Sequence, residues 1–142
     1  MSALGASLVD ARVIDLFAGS GALGLEALSR GAASVVLVER ARSALGVIRA
    51  NVELVDAADE CRVVAADVFA YLRAREERFD LALADPPYGT GDAARLVLHF
   101  SREPFANELW LEHPWREPLP LPEDARTRRY GDTALSTLKA DP

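Results

Sequence analysis

Between an apolar run and the first helix-forming stretch of this chain stands Asp15-Leu-Phe-Ala-Gly-Ser-Gly-Ala-Leu-Gly24. Glycine tolerates left-handed backbone, and without a Cβ it lets a ligand or a neighbouring element approach closely. Gly19 and Gly21 therefore predict a sharp turn out of a strand. Gly24, just inside the following helix, predicts close packing of that helix on the sheet. The spacing Gly19-x-Gly21-x-x-Gly24 matches the dinucleotide fingerprint, and Glu39 falls where its ribose-binding acid is expected. Such a loop selects a Rossmann-like crevice and a nucleoside-bearing ligand. By itself it does not separate a dinucleotide from S-adenosylmethionine.

The rest of the chain repeats the same alternation. Residues 12–17, 34–39, 61–66 and 79–84 are short apolar runs that read as buried strands. Helical spacing follows each, over residues 22–30 with Gly31 at C′, 43–55 with Ser43 as N-cap, 68–75, and 92–99. A fifth strand is expected over residues 108–113. Four strand-helix repeats of this length imply parallel βαβ units with right-handed crossovers. Pro114, Pro118, Pro120 and Pro122 then forbid a helix. Residues 126–129 and 134–138 flank Tyr130-Gly-Asp-Thr133, a hairpin signal. The fold class is α/β, a mostly parallel seven-stranded sheet closing in a C-terminal antiparallel hairpin, within one domain over residues 1–142.

Acidic residues occupy equivalent points along this alternation. Asp15 precedes the glycines, Glu39 and Asp67 end the second and third strands, and Asp85 follows the fourth. Such a set repels a pyrophosphate and favours a sulfonium cofactor carrying an α-amino group. Taken singly, each acid also fits a helix cap or a solvated position, and Asp67 is placed to N-cap its helix. Asp85 opens Asp85-Pro-Pro-Tyr88, where two prolines end both helix and ladder. That stiff turn sits at a strand's C-terminal edge, where open α/β sheets bind ligands. Acceptors at Asp85 and the Pro86 carbonyl suit the N–H groups of a nucleobase amine, Pro87 stiffens the turn, and Tyr88 suits stacking.

Composition narrows the classes. The 142 residues carry a formal net charge of −6, which argues against nonspecific coating of nucleic acid. Arg126, Arg128 and Arg129 beside Tyr130, with Arg116 upstream, are the local exception: a solvated hairpin face or a phosphate contact. The single cysteine, Cys61, excludes an internal disulfide and fits a reducing cytoplasm. His99 and His113 stand apart, so no metal site is expected. No apolar stretch is long enough to span a membrane, and the first residues lack the basic start of a secretory signal.

These motifs resemble the bacterial RsmD-like family, whose members methylate the N2 amine of a guanine in small-subunit ribosomal RNA. The likeness rests on Asp15 through Gly31, Val38-Glu39, Ile48 with Asn51, Asp67, Phe79-Asp80, Asp85-Pro-Pro-Tyr88 and Tyr130-Gly-Asp-Thr-Ala-Leu135. It implies a class I methyltransferase using S-adenosyl-L-methionine. Asp15, Phe17 and the backbone of Ala18, Gly19, Ser20 and Gly21 would hold the methionine part. Glu39 and Arg40 would lie at the ribose, and Asp67 and Val68 at the adenine. Asp85, Pro86, Pro87 and Tyr88 would position a flipped guanine, with Arg126, Arg128, Arg129 and Tyr130 on the RNA. The implied partner is ribosomal RNA or the small ribosomal subunit, and the protein is expected to be a cytoplasmic monomer. About eleven residues precede the first strand, fewer than the family usually carries, so an N-terminally short member is expected. Alternatives are an amino-methyltransferase for DNA or another nucleobase, and a cofactor-binding module without catalysis of its own. An NAD-dependent oxidoreductase would leave the Asp85–Tyr88 turn unexplained.

Overall fold

The computed structural model describes residues 8–140. The elements are β1 (Arg12–Leu16), α1 (Ala22–Ser29), β2 (Ser34–Glu39), α2 (Arg42–Leu54), β3 (Cys61–Ala65), α3 (Val68–Ala74), β4 (Phe79–Ala84), α4 (Asp92–Arg102), β5 (Ala106–Pro114), β6 (Arg126–Tyr130) and β7 (Thr133–Lys139). They form one seven-stranded sheet in the order β3-β2-β1-β4-β5-β7-β6. Strands β1 to β5 run parallel, and β7 lies antiparallel between β5 and β6. The mostly parallel sheet ending in a hairpin is therefore what the chain forms. Its strand order reverses between β1 and β4, opening a crevice beyond their C-terminal ends.

Alternation along the strands supplies two cores. Val13, Leu37, Leu81 and Leu83 face α1 and α2, where Ala27, Ile48 and Val52 pack on them. Ile14, Leu16, Val36, Ala82 and Leu109 face α3 and α4, meeting Phe69, Leu72, Leu96, Val97 and Phe100. Each such large side chain contributes about 1.5–3 kcal/mol by leaving water. Because β1, β2 and β4 are covered on both faces, they read as near-continuous apolar runs, broken inside only by Asp15 and Asp80, rather than alternating ones. A Cβ on Gly24 would lie 2.5 Å from Leu37 Cδ2 and 2.9 Å from Val35 Cγ1, so α1 rests on the sheet with no space for a methyl.

Some boundaries move. Helix α2 begins at Arg42, with Ala41 rather than Ser43 at its N-cap. The reason is Glu39: its carboxylate accepts the N–H of Arg40 (3.0 Å) and of Ala41 (2.8 Å), holding the chain for an earlier start. Helix α4 runs on to Arg102, burying Phe100. Strand β5 extends from Ala106 to Pro114 because it has partners on both sides, β4 from Ala106 onward and β7 as far as Pro114. The hairpin turn is shorter than expected: Tyr130 and Thr133 pair, leaving Gly131 and Asp132 to make it, with Gly131 at φ 64°.

Candidate active site

The glycine loop leaves β1 through three left-handed residues: Phe17 (φ 59°), Gly19 (φ 58°) and Gly21 (φ 82°). Phe17 has a Cβ, so this backbone costs about 1–3 kcal/mol and must be held in place by its surroundings. Its ring packs edge-on against Phe69, centroids 6.1 Å apart. The next amide, Ala18 N–H, donates to the Val38 carbonyl at 3.0 Å. Helix α2 braces the loop from outside. Asn51 Nδ2 donates to the Ser20 carbonyl at 2.9 Å, and the bare Cα of Gly21 faces Ile48.

Glu39 closes the other side. Besides holding the start of α2, its Oε1 accepts the Gly19 N–H at 2.9 Å, so a carboxylate stands directly against the loop. Asp67 caps α3, its Oδ2 accepting the Ala70 N–H at 3.0 Å, while Oδ1 lies 3.5 Å from Arg40 Nη1. The expected cap is thus formed through Oδ2, while Oδ1 faces Arg40. Phe17, Glu39, Arg40, Ala66, Asp67, Val68 and Pro87 line a cleft of about 200 Å³ together with Asp92 and Arg95. The last two were not singled out in the sequence. Asp92 sits in the first turn of α4, a position an acid favours. The Arg95 guanidinium lies 3.9 Å above the Phe69 ring, a contact that spacing along one helix does not reveal.

Asp15 sits deeper. It is 1% exposed, and its Oδ2 accepts the Gly24 N–H at 3.0 Å, one of the unpaired amides that open α1. Burial raises its pKa to about 8, the Gly24 amide opposes that rise, and the charges of Asp85 and Glu39 add to it. The carboxylate therefore lies beneath the glycine loop rather than in the cleft.

The turn after β4 carries the other half of the site. Pro87 belongs to the cleft wall, and Tyr88 is 57% exposed, its hydroxyl 3.4 Å from Thr133 Oγ1 at the start of β7. Solvent reaches Asp85, yet half of its surroundings are protein. Its pKa rises to about 6, first through desolvation, then through the charge of Glu112. Glu112 was missed in the sequence although a signal existed: it lies near the C-terminal end of a parallel strand, as Glu39 does.

The basic cluster divides. Strand β6 is exposed throughout, and alternation puts Arg126, Arg128 and Tyr130 on one face of it. Arg128 Nη1 and the Tyr130 hydroxyl are 3.5 Å apart there. Arg129 points the other way, its guanidinium 4.9 Å over the ring of Trp115. A roomier concavity of about 550 Å³ lies at the opposite end of the parallel strands, lined by Asp10, Asp80, Asn107 and Lys139 among others. It has no glycine loop, and ligands of such sheets bind at the C-terminal edge. Among the described residues no three His, Cys, Asp or Glu side chains gather as a metal would need. No helix among them is long and apolar enough to cross a membrane.

The family model for Conserved hypothetical protein 95 matches residues 1–138. The chain belongs to that family. Ribosomal RNA small subunit methyltransferase D of Escherichia coli (strain K12) is 39% identical over 84 residues, which cover 59% of this chain and 42% of that protein. The match thus spans less than half the length of this relative. Among solved structures, a hypothetical protein of Thermus thermophilus superposes with a TM-score of 0.80 at 36% identity, over 92% of this chain and 75% of that one. The Escherichia coli protein yhhF, whose own name proposes a methyltransferase, does so with a TM-score of 0.79 at 28% identity, over 94% and 78%. The family found is the one to which the glycine-loop block and the Asp85-Pro-Pro-Tyr88 turn pointed.

Proposed function

We propose that this chain transfers a methyl group from S-adenosyl-L-methionine to the exocyclic N2 amine of a guanine in small-subunit ribosomal RNA. The observation that carries this reading is a shared wall. Pro87 lines the cleft of Phe17, Glu39, Arg40, Asp67 and Val68, and the same turn presents Asp85 and Tyr88 beside it. Methyl donor and amine would meet across that turn.

The residues present fit such a cofactor better than a dinucleotide. Glu39 occupies the Gly19 amide that a pyrophosphate would need, and Asp67 adds a second carboxylate to the lining. A cationic, phosphate-free nucleoside suits this environment. Phe17, Ala18, Gly19, Ser20 and Gly21 would hold the methionine part, with the Asp15 carboxyl acting from below. Glu39 and Arg40 would take the ribose, and Asp67 with the Val68 backbone the adenine. When bound, S-adenosylmethionine supplies the electrophilic methyl carbon.

The chain's own residues do the rest. A base amine is out of reach within a stack, so the nucleotide must be turned out. Tyr88 offers an exposed ring to receive it. Asp85 and the Pro86 carbonyl accept the amine's N–H groups, which draws its lone pair back onto nitrogen, and Asp85 then receives the proton that the nitrogen sheds. Alignment and fixed acceptors supply most of the acceleration. Arg126, Arg128 and Tyr130, on one face of the hairpin, would contact RNA around the target, since Tyr88 touches the start of β7, whereas Arg129 is turned onto Trp115.

The test is to incubate the protein with methyl-labelled cofactor and small ribosomal subunits from a strain lacking the corresponding methylation, then digest to nucleosides. The reading expects label in N2-methylguanosine. Label in another nucleoside, or none on RNA, would refute it.

A further inference from the structure

Asp85 and Glu112 lie side by side at the ends of neighbouring parallel strands. Ala84 pairs with Leu111 in the register of β4 and β5, which makes Asp85 and Glu112 the next rung. The two acids are close enough for the Glu112 charge to help raise the Asp85 pKa. On the far side of Glu112 the rung continues through Leu135 of β7 to Arg128 of β6. Among the described residues no ion pair joins either acid to a cation. Asp15 of β1 is a further, buried carboxyl near Asp85, Tyr88 belongs to the same turn, and Asp92 and Arg95 stand with Pro87 in the cleft. The place where the amine would sit is therefore bordered by two acids on neighbouring strand ends.

That pairing has a consequence for which base is accepted. An ionised carboxylate only accepts hydrogen bonds. The Watson–Crick edge of guanine offers two adjacent donors, N1–H and N2–H. Adenine and cytosine each offer an amine donor next to a bare ring nitrogen, which is an acceptor. Two neighbouring carboxylates thus complement guanine and oppose the other two amino bases. We propose that Glu112 determines specificity, accepting the N1–H of the target guanine while Asp85 accepts its N2–H. This rests on the proposed function and names the residue that would make the target a guanine. Recognition on this reading needs Asp85 in its ionised form, which it reaches as pH rises through about 6. A site built to satisfy particular donors rejects bases lacking them far more strongly than a shape-only pocket does, because its polar groups are left facing like groups.

The experiment compares the wild-type chain with Glu112→Gln and Glu112→Asp. Glutamine has the same size and keeps an amide oxygen, but it has no charge and can turn its NH₂ toward a ring nitrogen, whereas aspartate keeps a charged group that only accepts. Methyl transfer to unmethylated small subunits should fall at least about tenfold in kcat/KM for Glu112→Gln, the value of one charge-assisted hydrogen bond, with partial recovery in Glu112→Asp. Affinity for S-adenosylhomocysteine should stay within about twofold, which reports an intact fold. The wild-type rate should climb as pH rises through about 6, where Asp85 loses its proton, and Glu112→Gln should move that rise to lower pH. In parallel, guanosine and adenosine are titrated into each protein saturated with S-adenosylhomocysteine. The wild type should prefer guanosine, and Glu112→Gln should lose that preference. Wild-type protein that prefers guanosine but transfers no methyl would sink the proposed function, while loss of that preference in Glu112→Gln would still support guanine recognition by Glu112. Equal guanosine preference in wild type and Glu112→Gln, with superimposable pH profiles, would overturn the inference alone.

Discussion

Asp15→Asn is the substitution that best separates support of the loop from contact with a ligand. The carboxyl is buried against the Gly24 amide, and its pKa is raised from 3.8 to about 8. A folded chain that binds a proton more tightly than the unfolded one loses stability as pH rises between those two values. Each unit is worth about 1.36 kcal/mol, so from pH 5 to pH 7 this one group removes up to about 2.7 kcal/mol. Asparagine resembles the protonated acid: its oxygen still accepts the Gly24 N–H, and it has no charge to lose. The variant should be more stable than wild type by about 1.5 kcal/mol at pH 5 and by about 4 kcal/mol at pH 7, a gap that widens steadily between the two. Urea unfolding of both proteins at pH 5, 6, 7 and 8, followed by circular dichroism, measures the difference directly. A stability gap that stays constant with pH, or one that turns against Asp15→Asn toward pH 8, would refute the reasoning. The second result would mean that Asp15 is ionised in the folded protein.

Three further outcomes follow from the same geometry. Gly24→Ala drives a methyl into Leu37, Val35 and the Asp15 carboxyl, so unfolding should become easier by about 1–3 kcal/mol, the usual cost of overpacking, as a lowered urea midpoint. Asp67→Ala removes the α3 cap and should cost about 1 kcal/mol of stability. It should also weaken S-adenosylhomocysteine binding in calorimetry, whereas Asp67→Asn keeps most of the cap and isolates the loss of charge. Arg126→Ala with Arg128→Ala should leave cofactor affinity alone and weaken binding to small-subunit RNA, flattening its salt dependence by about one unit of log–log slope per arginine.

Much of this architecture was legible because single residues dictated it. Gly24 forecast the helix-on-sheet contact, since only a residue without Cβ fits over Val35 and Leu37. The apolar runs at β1, β2 and β4 forecast burial on both faces, and the prolines after β5 forecast the end of helical alternation. The misplacements had a common cause in contacts between distant segments. The Glu39 carboxylate starts α2 at Arg42, an effect no helix-capping rule applied to Ser43 detects. The arginines of β6 look like one cluster in the sequence, yet strand alternation turns Arg129 onto Trp115 and away from Arg126 and Arg128. Arg95 enters the cleft because α4 packs beside α3, and only the folded chain brings it over Phe69. Asp15 was grouped with the crevice acids by position. Its side chain follows the strand's pleat beneath α1, against the Gly24 amide and within reach of the Asp85 and Glu39 charges.

The central claim is that the turn after β4 both lines a methyl-donor cleft and holds the target amine, and Asp85→Ala tests it most directly. The measurement is the affinity for S-adenosylhomocysteine by calorimetry alongside methyl transfer to unmethylated small ribosomal subunits, on wild type and variant together. The account predicts affinity within a few-fold of wild type and a loss of transfer of at least about a hundredfold, the scale of removing a key acceptor from a preorganised site. Equal losses of affinity and transfer would make Asp85 part of the scaffold of the cleft, and retained transfer would remove it from the reaction.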